Sequence, residues 1–300
     1  MKNSIIFGLI IIIAVAIGAY FLLNNDSNTA SVETGTESEQ TEPTTTTEES
    51  AEKPTQTVLG TSVDGNDITA YHYGQGDTEV LFVGGIHGGY SWNTSLVAFE
   101  LMKYLEDDVS VIPNNVRVTV VPALNPDGLE KVTGTTGVFT SSDVGATETE
   151  RIAARFNANN VDLNRNFDCE WKKEGVWQSR AVSGGSAPFS EPESIAIRDY
   201  ITTNTPSAVV VWYSSAGGVY ASSCNNGVAA ETKTITNLYA DASGYPAYQE
   251  FDFYEITGDL VNWVAKNNIP GISVLLTNHT STEWTKNRAG ITALLNHYAE

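Results

Sequence analysis

Four largely apolar runs, at residues 80–86, 116–121, 208–212 and 272–276, constrain this chain more than any other feature, with Arg117, Thr119 and Ser273 as their polar members. A strand with one face in water alternates apolar and polar residues, so a run without alternation has both faces covered. Between and after these runs lie segments of helical period, at 94–105, 191–202, 258–266 and 285–298. Strands separated by helices pair in parallel through crossovers. The expected fold class is therefore α/β: a single domain with a mixed, mainly parallel central sheet flanked by helices on both faces. A hairpin opens it, because alternating stretches at 57–63 and 68–73 flank Asp64, Gly65 and Asn66.

Sheets of this kind bind ligands beyond the carboxyl ends of their strands. The polar residues that follow each apolar run become the candidates: His87, Asn125 with Asp127, the segment around Tyr213 and Ser214, and the segment after Leu276.

The amino-terminal part reads differently. Residues 5–23 are apolar and uncharged, with Lys2 before and Asp26 after. That length suits a membrane-spanning helix of about 20 residues, with a cleaved signal peptide as the alternative. Lys2 keeps the amino terminus inside and sends the remainder out. A Thr/Ser/Glu-rich stretch follows with little to bury, the composition of a disordered stalk. The expected organisation is an anchor at 1–24, a stalk at 25–57 and a folded domain at 58–300. This places a single-pass protein in the cell membrane, with its domain on the extracellular or periplasmic side and membrane contact through the anchor alone. The chain has 36 acidic against 16 basic residues, and its Lys and Arg form no cluster. Nucleic acid is excluded as a partner, since phosphate binding needs such a cluster.

At the strand ends the sequence resembles the zinc carboxypeptidase family. The resemblance runs through Gly84-Gly85-Ile86-His87-Gly88, Asn125-Pro126-Asp127-Gly128, Val161-Asp162-Leu163-Asn164-Arg165-Asn166-Phe167, residues 188–193, and the spacing of residues 254–263. It implies that Arg165, aided by Asn164, clamps the terminal carboxylate of a peptide, a task suited to the forked guanidinium. It further implies that Arg155 steadies the oxyanion and that Asp162 orients a ligand histidine, His87. Tyr254 would close over substrate, and Val261, with Ile256 beside it, would line an apolar specificity pocket. Read without the resemblance, the arginines fit structural ion pairs, Asp162 a turn or cap, and Tyr254 simple packing. The implied fold also brings the segments of Cys169 and Cys224 together. Because export permits a disulfide, a bridge is expected rather than two buried thiols.

Three positions depart from the family pattern. Catalytic zinc takes three protein ligands and a water, and its hydrolysis needs a base. The family's Glu three residues after the first His is here Tyr90, with Ser91 next. Its second His is Tyr213 or Ser214, and its catalytic Glu is Leu275 or Leu276. Zinc would require His279, Glu283 or Glu255 to approach from rearranged loops. The expected function is thus capture of the free carboxyl terminus of peptides or proteins, with hydrolysis lost and no cofactor. The alternative is an active metallocarboxypeptidase or amidohydrolase with a rearranged zinc site, and a purely structural role is the third reading.

Overall fold

A computed structural model describes residues 55–299. The expected anchor, and all but the last three residues of the expected stalk, lie outside these. Among the described residues no helix is long and apolar enough to cross a membrane.

The chain opens on the antiparallel pair β1 (Thr55–Thr61) and β2 (Asp67–Tyr73), so the paired backbone starts three residues before the boundary expected from composition. Four strands then form the parallel centre: β3 (Thr78–Val83), β4 (Val116–Val121), β7 (Ala208–Ser214) and β10 (Gly271–Leu276). With β8 (Gly218–Ala221) and β9 (Ala247–Tyr248) the sheet has eight strands, in the order β1-β2-β4-β3-β7-β10-β8-β9. After β3 the chain moves to one side to form β4 and later returns to the other side of β3 as β7. The reversal opens a crevice at the carboxyl ends of β3 and β7.

Seven α-helices accompany the sheet: α1 (Trp92–Asp107), α2 (Pro126–Thr133), α3 (Glu148–Ala153), α4 (Pro192–Asn204), α5 (Ala230–Ser243), α6 (Leu260–Lys266) and α7 (Trp284–His297). The pleat divides the core in two. Val80 and Phe82 of β3 face the cluster built with α1, α5 and α7, whereas Leu81 and Val83 face the one built with α4 and α6. Both faces are covered, which is why the central runs are mostly apolar, with Arg117 of β4 only partly buried.

Three helices and the small hairpin of β5 (Glu174–Trp177) and β6 (Arg180–Ser183) go beyond the elements expected from periodicity. Helix α5 shows the reason. Its buried stripe is Thr232, Ile235, Thr236, Tyr239, Ala240 and Ser243, which has helical spacing but few large apolar side chains.

Candidate ligand-binding site

Beyond the carboxyl ends of the central strands lies a cavity of about 890 Å³. The end of β3 turns sharply through Gly84 and Gly85 into His87. Gly85 has φ +67°, and a Cβ there would stand 2.4 Å from the Ser95 hydroxyl, so only glycine permits this turn. Strand β7 delivers Tyr213 and Ser214 with Ser215 just beyond it, β10 delivers Leu275, and the loop after it carries His279; these five residues and His87 line the cavity.

Arg165 sits in a short 3-10 turn, Leu163–Arg165, that the Asp162 side chain caps at Asn164 N. Its guanidinium donates from Nε and NH2 to the Val176 carbonyl, at 3.2 and 2.7 Å, and from NH1 to the Asn164 carbonyl at 2.6 Å. A guanidinium has five N–H donors. Among the described residues these bonds leave the second N–H of each terminal nitrogen for a ligand. The Tyr254 ring lies 5.9 Å from the Arg165 guanidinium carbon. Val261 and Ile256 also line the cavity. Gly258 makes this packing fit: its φ is +62°, and a Cβ would fall 2.2 Å from the Arg165 carbonyl.

Asn164 is more heavily engaged than the sequence suggests. Its Nδ2 donates to Asp259 at 2.8 Å, and its Oδ1 accepts from Tyr213 OH and Leu260 N, both at 3.2 Å. It therefore braces the start of α6 against β7 and holds Arg165 in place. Burial raises the Asp259 pKa above the ordinary carboxylate range. Asp259 lay outside the sequence candidates, although Asp before an apolar helical stretch is a capping signal.

Arg155 is buried. Its Nε and NH2 lie 2.9 Å from Asp162, and NH2 lies 2.8 Å from His87 Nε2. The Trp177 ring covers it at 4.3 Å. Asp162 thus pairs first with Arg155, standing 3.7 Å from His87, so it steadies an arginine more directly than the histidine it was expected to orient. Burial alone would raise the Asp162 pKa, but Arg155, His87 and Arg165 hold it below the carboxylate range. Burial and then Arg155 push the His87 pKa well below the histidine range.

A neutral His87 has a pH consequence. An unfolded chain takes up a proton on this ring below about pH 6.5, which the folded state refuses. Stability present above that pH is lost as the pH falls, by about 1 kcal/mol between pH 6.5 and 5.5 for this residue. Chemical denaturation at both pH values should show a drop smaller by that amount in His87→Gln. Glu193 and Asp259, whose pKa burial raises, act in the opposite sense but equally in both proteins.

His87 is where a zinc ion of the family pattern would bind. Its Nδ1 is buried without a partner among the described residues, as a ligand nitrogen would be. Its neighbours do not complete a set. Tyr213 lies 5.5 Å away ring to ring, and burial raises its pKa far above the tyrosine range. Tyr90 packs edge-on against Trp177 and His279, and its pKa is likewise raised by burial, so both phenols keep their protons. Leu275 pairs with Tyr213 across β7 and β10 and presents an apolar side chain. Both His279 nitrogens bond to Ser214 and Ser215. Glu283 accepts from Thr277 N and Tyr245, and Glu255 pairs with Lys172. Among the described residues no group of three His, Cys, Asp or Glu side chains is placed to hold a metal ion. The donor set does not fit a three-ligand zinc centre.

Cys169 and Cys224 form the expected disulfide. The Cys169 carbonyl accepts from Gly258 N at 2.8 Å, which ties the bridge to the loop under Arg165.

The zinc carboxypeptidase family pattern matches residues 44–292. The chain belongs to the zinc carboxypeptidase family. It is 24% identical over 221 residues to gamma-D-glutamyl-L-diamino acid endopeptidase 1 of Lysinibacillus sphaericus, covering 66% of this chain and 54% of that protein. It is 27% identical to carboxypeptidase B of Astacus astacus over 150 residues, 48% of each chain. The chain thus spans about half the length of these two relatives. Among solved structures, carboxypeptidase A from Helicoverpa armigera superposes with TM-score 0.62 at 19% identity, covering 82% of this chain and 67% of that one. The murein-tripeptide amidase of Escherichia coli O157 gives 0.56 at 22% identity, covering 80% and 91%. These structures share the fold.

Proposed function

We propose that this domain of the zinc carboxypeptidase family binds the free carboxyl terminus of peptides, with the family's metal hydrolysis lost. The observation that carries the reading is the buried Arg165, which lines the cavity and is held by two backbone carbonyls so that, among the described residues, one N–H of each terminal nitrogen stays unpaired. A carboxylate takes such a pair as two parallel charge-assisted hydrogen bonds. Tyr254 beside it would cover the bound end, and Val261 and Ile256 would receive an apolar side chain. The lost-hydrolysis part rests on the donor set around His87. On the organisation read from residues 1–57, the domain would stand outside the membrane and meet secreted or cell-wall peptides. Two relatives are named for gamma-D-glutamyl-L-diamino acid and murein-tripeptide substrates, so cell-wall peptides are the ligands to try first.

Arg165→Ala should weaken binding of a free-carboxylate peptide about 100-fold, the loss of about 3 kcal/mol from two charge-assisted bonds. Isothermal titration with the peptide and its carboxyl-terminal amide checks this. Unchanged affinity in the variant would contradict the clamp. Arg165→Lys should recover only part of the loss, because a point charge cannot fork. One observation favours a second reading, an amidohydrolase or carboxypeptidase with a rearranged zinc site: among the described residues His87 Nδ1 is buried without a partner. Release of the terminal residue by protein holding one zinc per chain would establish that reading instead.

A further inference from the structure

A chain of side-chain hydrogen bonds beside the carboxylate clamp fixes the state of His279. Asn93 is fully buried, and its Nδ2 donates to the Asn278 and Ser281 carbonyls at 2.8 and 2.9 Å. Its Oδ1 is therefore the oxygen, and it accepts from the Ser214 hydroxyl at 3.1 Å. With its one proton given to Asn93, Ser214 can only accept from its other neighbour, His279 Nδ1 at 2.8 Å. The proton of a neutral ring thus sits on Nδ1, and the lone pair of Nε2 faces the Ser215 hydroxyl at 3.3 Å. Burial lowers the pKa of His279 below the usual histidine range, which keeps that lone pair free near neutral pH.

This is the order of roles in a serine nucleophile site: an exposed hydroxyl, an imidazole acceptor, and an acceptor behind the ring, here Ser214 held by the buried Asn93, that fixes the imidazole tautomer. Asn93 does a second job, because the two carbonyls it holds flank His279 in sequence and set the loop that presents the ring. Ser215, His279 and Arg155 line the same cavity. NH1 of Arg155 makes no hydrogen bond among the described residues, whereas its other nitrogens are engaged. A free guanidinium N–H lining such a cavity can stabilise negative charge developing on a carbonyl oxygen.

We infer that Ser215 is a nucleophile activated by His279, giving the cavity a metal-independent acyl-transfer activity toward carbonyl carbons of peptide amides or esters. The step balances without a further reagent. Ser215 Oγ bonds to the carbonyl carbon as its proton passes to His279 Nε2. The carbon–nitrogen or carbon–oxygen bond then breaks, and that proton leaves on the amine or alcohol. Water attacks the acyl-serine through the same base, releasing the acid and restoring both residues. Ser214 and Asn93 are positioning residues. The inference goes beyond peptide binding and stands independently of Arg165.

The test is intact-mass and peptide-mass analysis of the full-length chain after exposure to an alkyl fluorophosphonate in the presence of a chelator. One adduct on the peptide containing Ser215 is expected, with none in Ser215→Ala. His279→Gln, which keeps a polar side chain in the loop, should be labelled about 100-fold more slowly or worse. Ser214→Ala should also slow labelling, and Ser214→Thr should restore it. No adduct on the wild-type chain, an adduct elsewhere, or an adduct unaffected by Ser215→Ala or His279→Gln would overturn the inference. Titration of the same samples with a free-carboxylate peptide reads the binding function separately, so either can fail while the other stands.

Discussion

Replacing Asp162 by Ala should destabilise the domain by about 4 kcal/mol, because it strands a buried guanidinium without its counter-charge. Asp162 is fully buried and Arg155 nearly so. The carboxylate meets Arg155 at two nitrogens and also caps the turn that presents Arg165. The loss therefore has a charge part and a cap part, and the charge part dominates. Urea denaturation of the two proteins gives the number, and a difference under about 1 kcal/mol would mean that water reaches Arg155. Removing both charges at once, as Arg155→Met with Asp162→Leu, should cost far less than Asp162→Ala alone, since an apolar pair needs no counter-charge.

The disulfide should carry a comparable weight. Cys169 and Cys224 are separated by 55 residues in sequence, and closing a loop of that length in the unfolded chain is worth about 4 kcal/mol. The bridge also holds the backbone that accepts from Gly258 N, the residue packed directly against the Arg165 carbonyl. Cys169→Ser with Cys224→Ser should lower the denaturation midpoint and weaken peptide binding together. A reduced protein of unchanged stability would show that packing alone holds this wall of the cavity.

Much of this molecule can be read from its sequence, for identifiable reasons. The central strands are legible because burial on both faces leaves mostly apolar residues, as in Val209, Val210 and Val211. The convergence of His87, Tyr213 and Arg165 follows from their places at strand ends and in the Asn-Arg motif. Other parts leave no such trace. Trp177, which covers Arg155, comes from a short hairpin whose four-residue strands carry no period long enough to detect. Asn164 is legible as polar, but its bonds to Asp259, Tyr213 and Leu260 cross 49 to 96 residues of chain. The link from Asn93 through Ser214 to His279 joins α1, β7 and the loop after β10, and only tertiary structure assembles it.

On the proposed reading, the cavity recognises a terminal carboxylate through Arg165 without a metal. Calorimetric titration of chelator-dialysed, full-length protein with a free-carboxylate peptide and with its amide tests this most directly. The expected result is saturable binding of the free peptide, unchanged when zinc is restored, with binding of the amide weaker by about 100-fold. Equal affinity for both peptides, or binding that appears only with one zinc per chain, would contradict it.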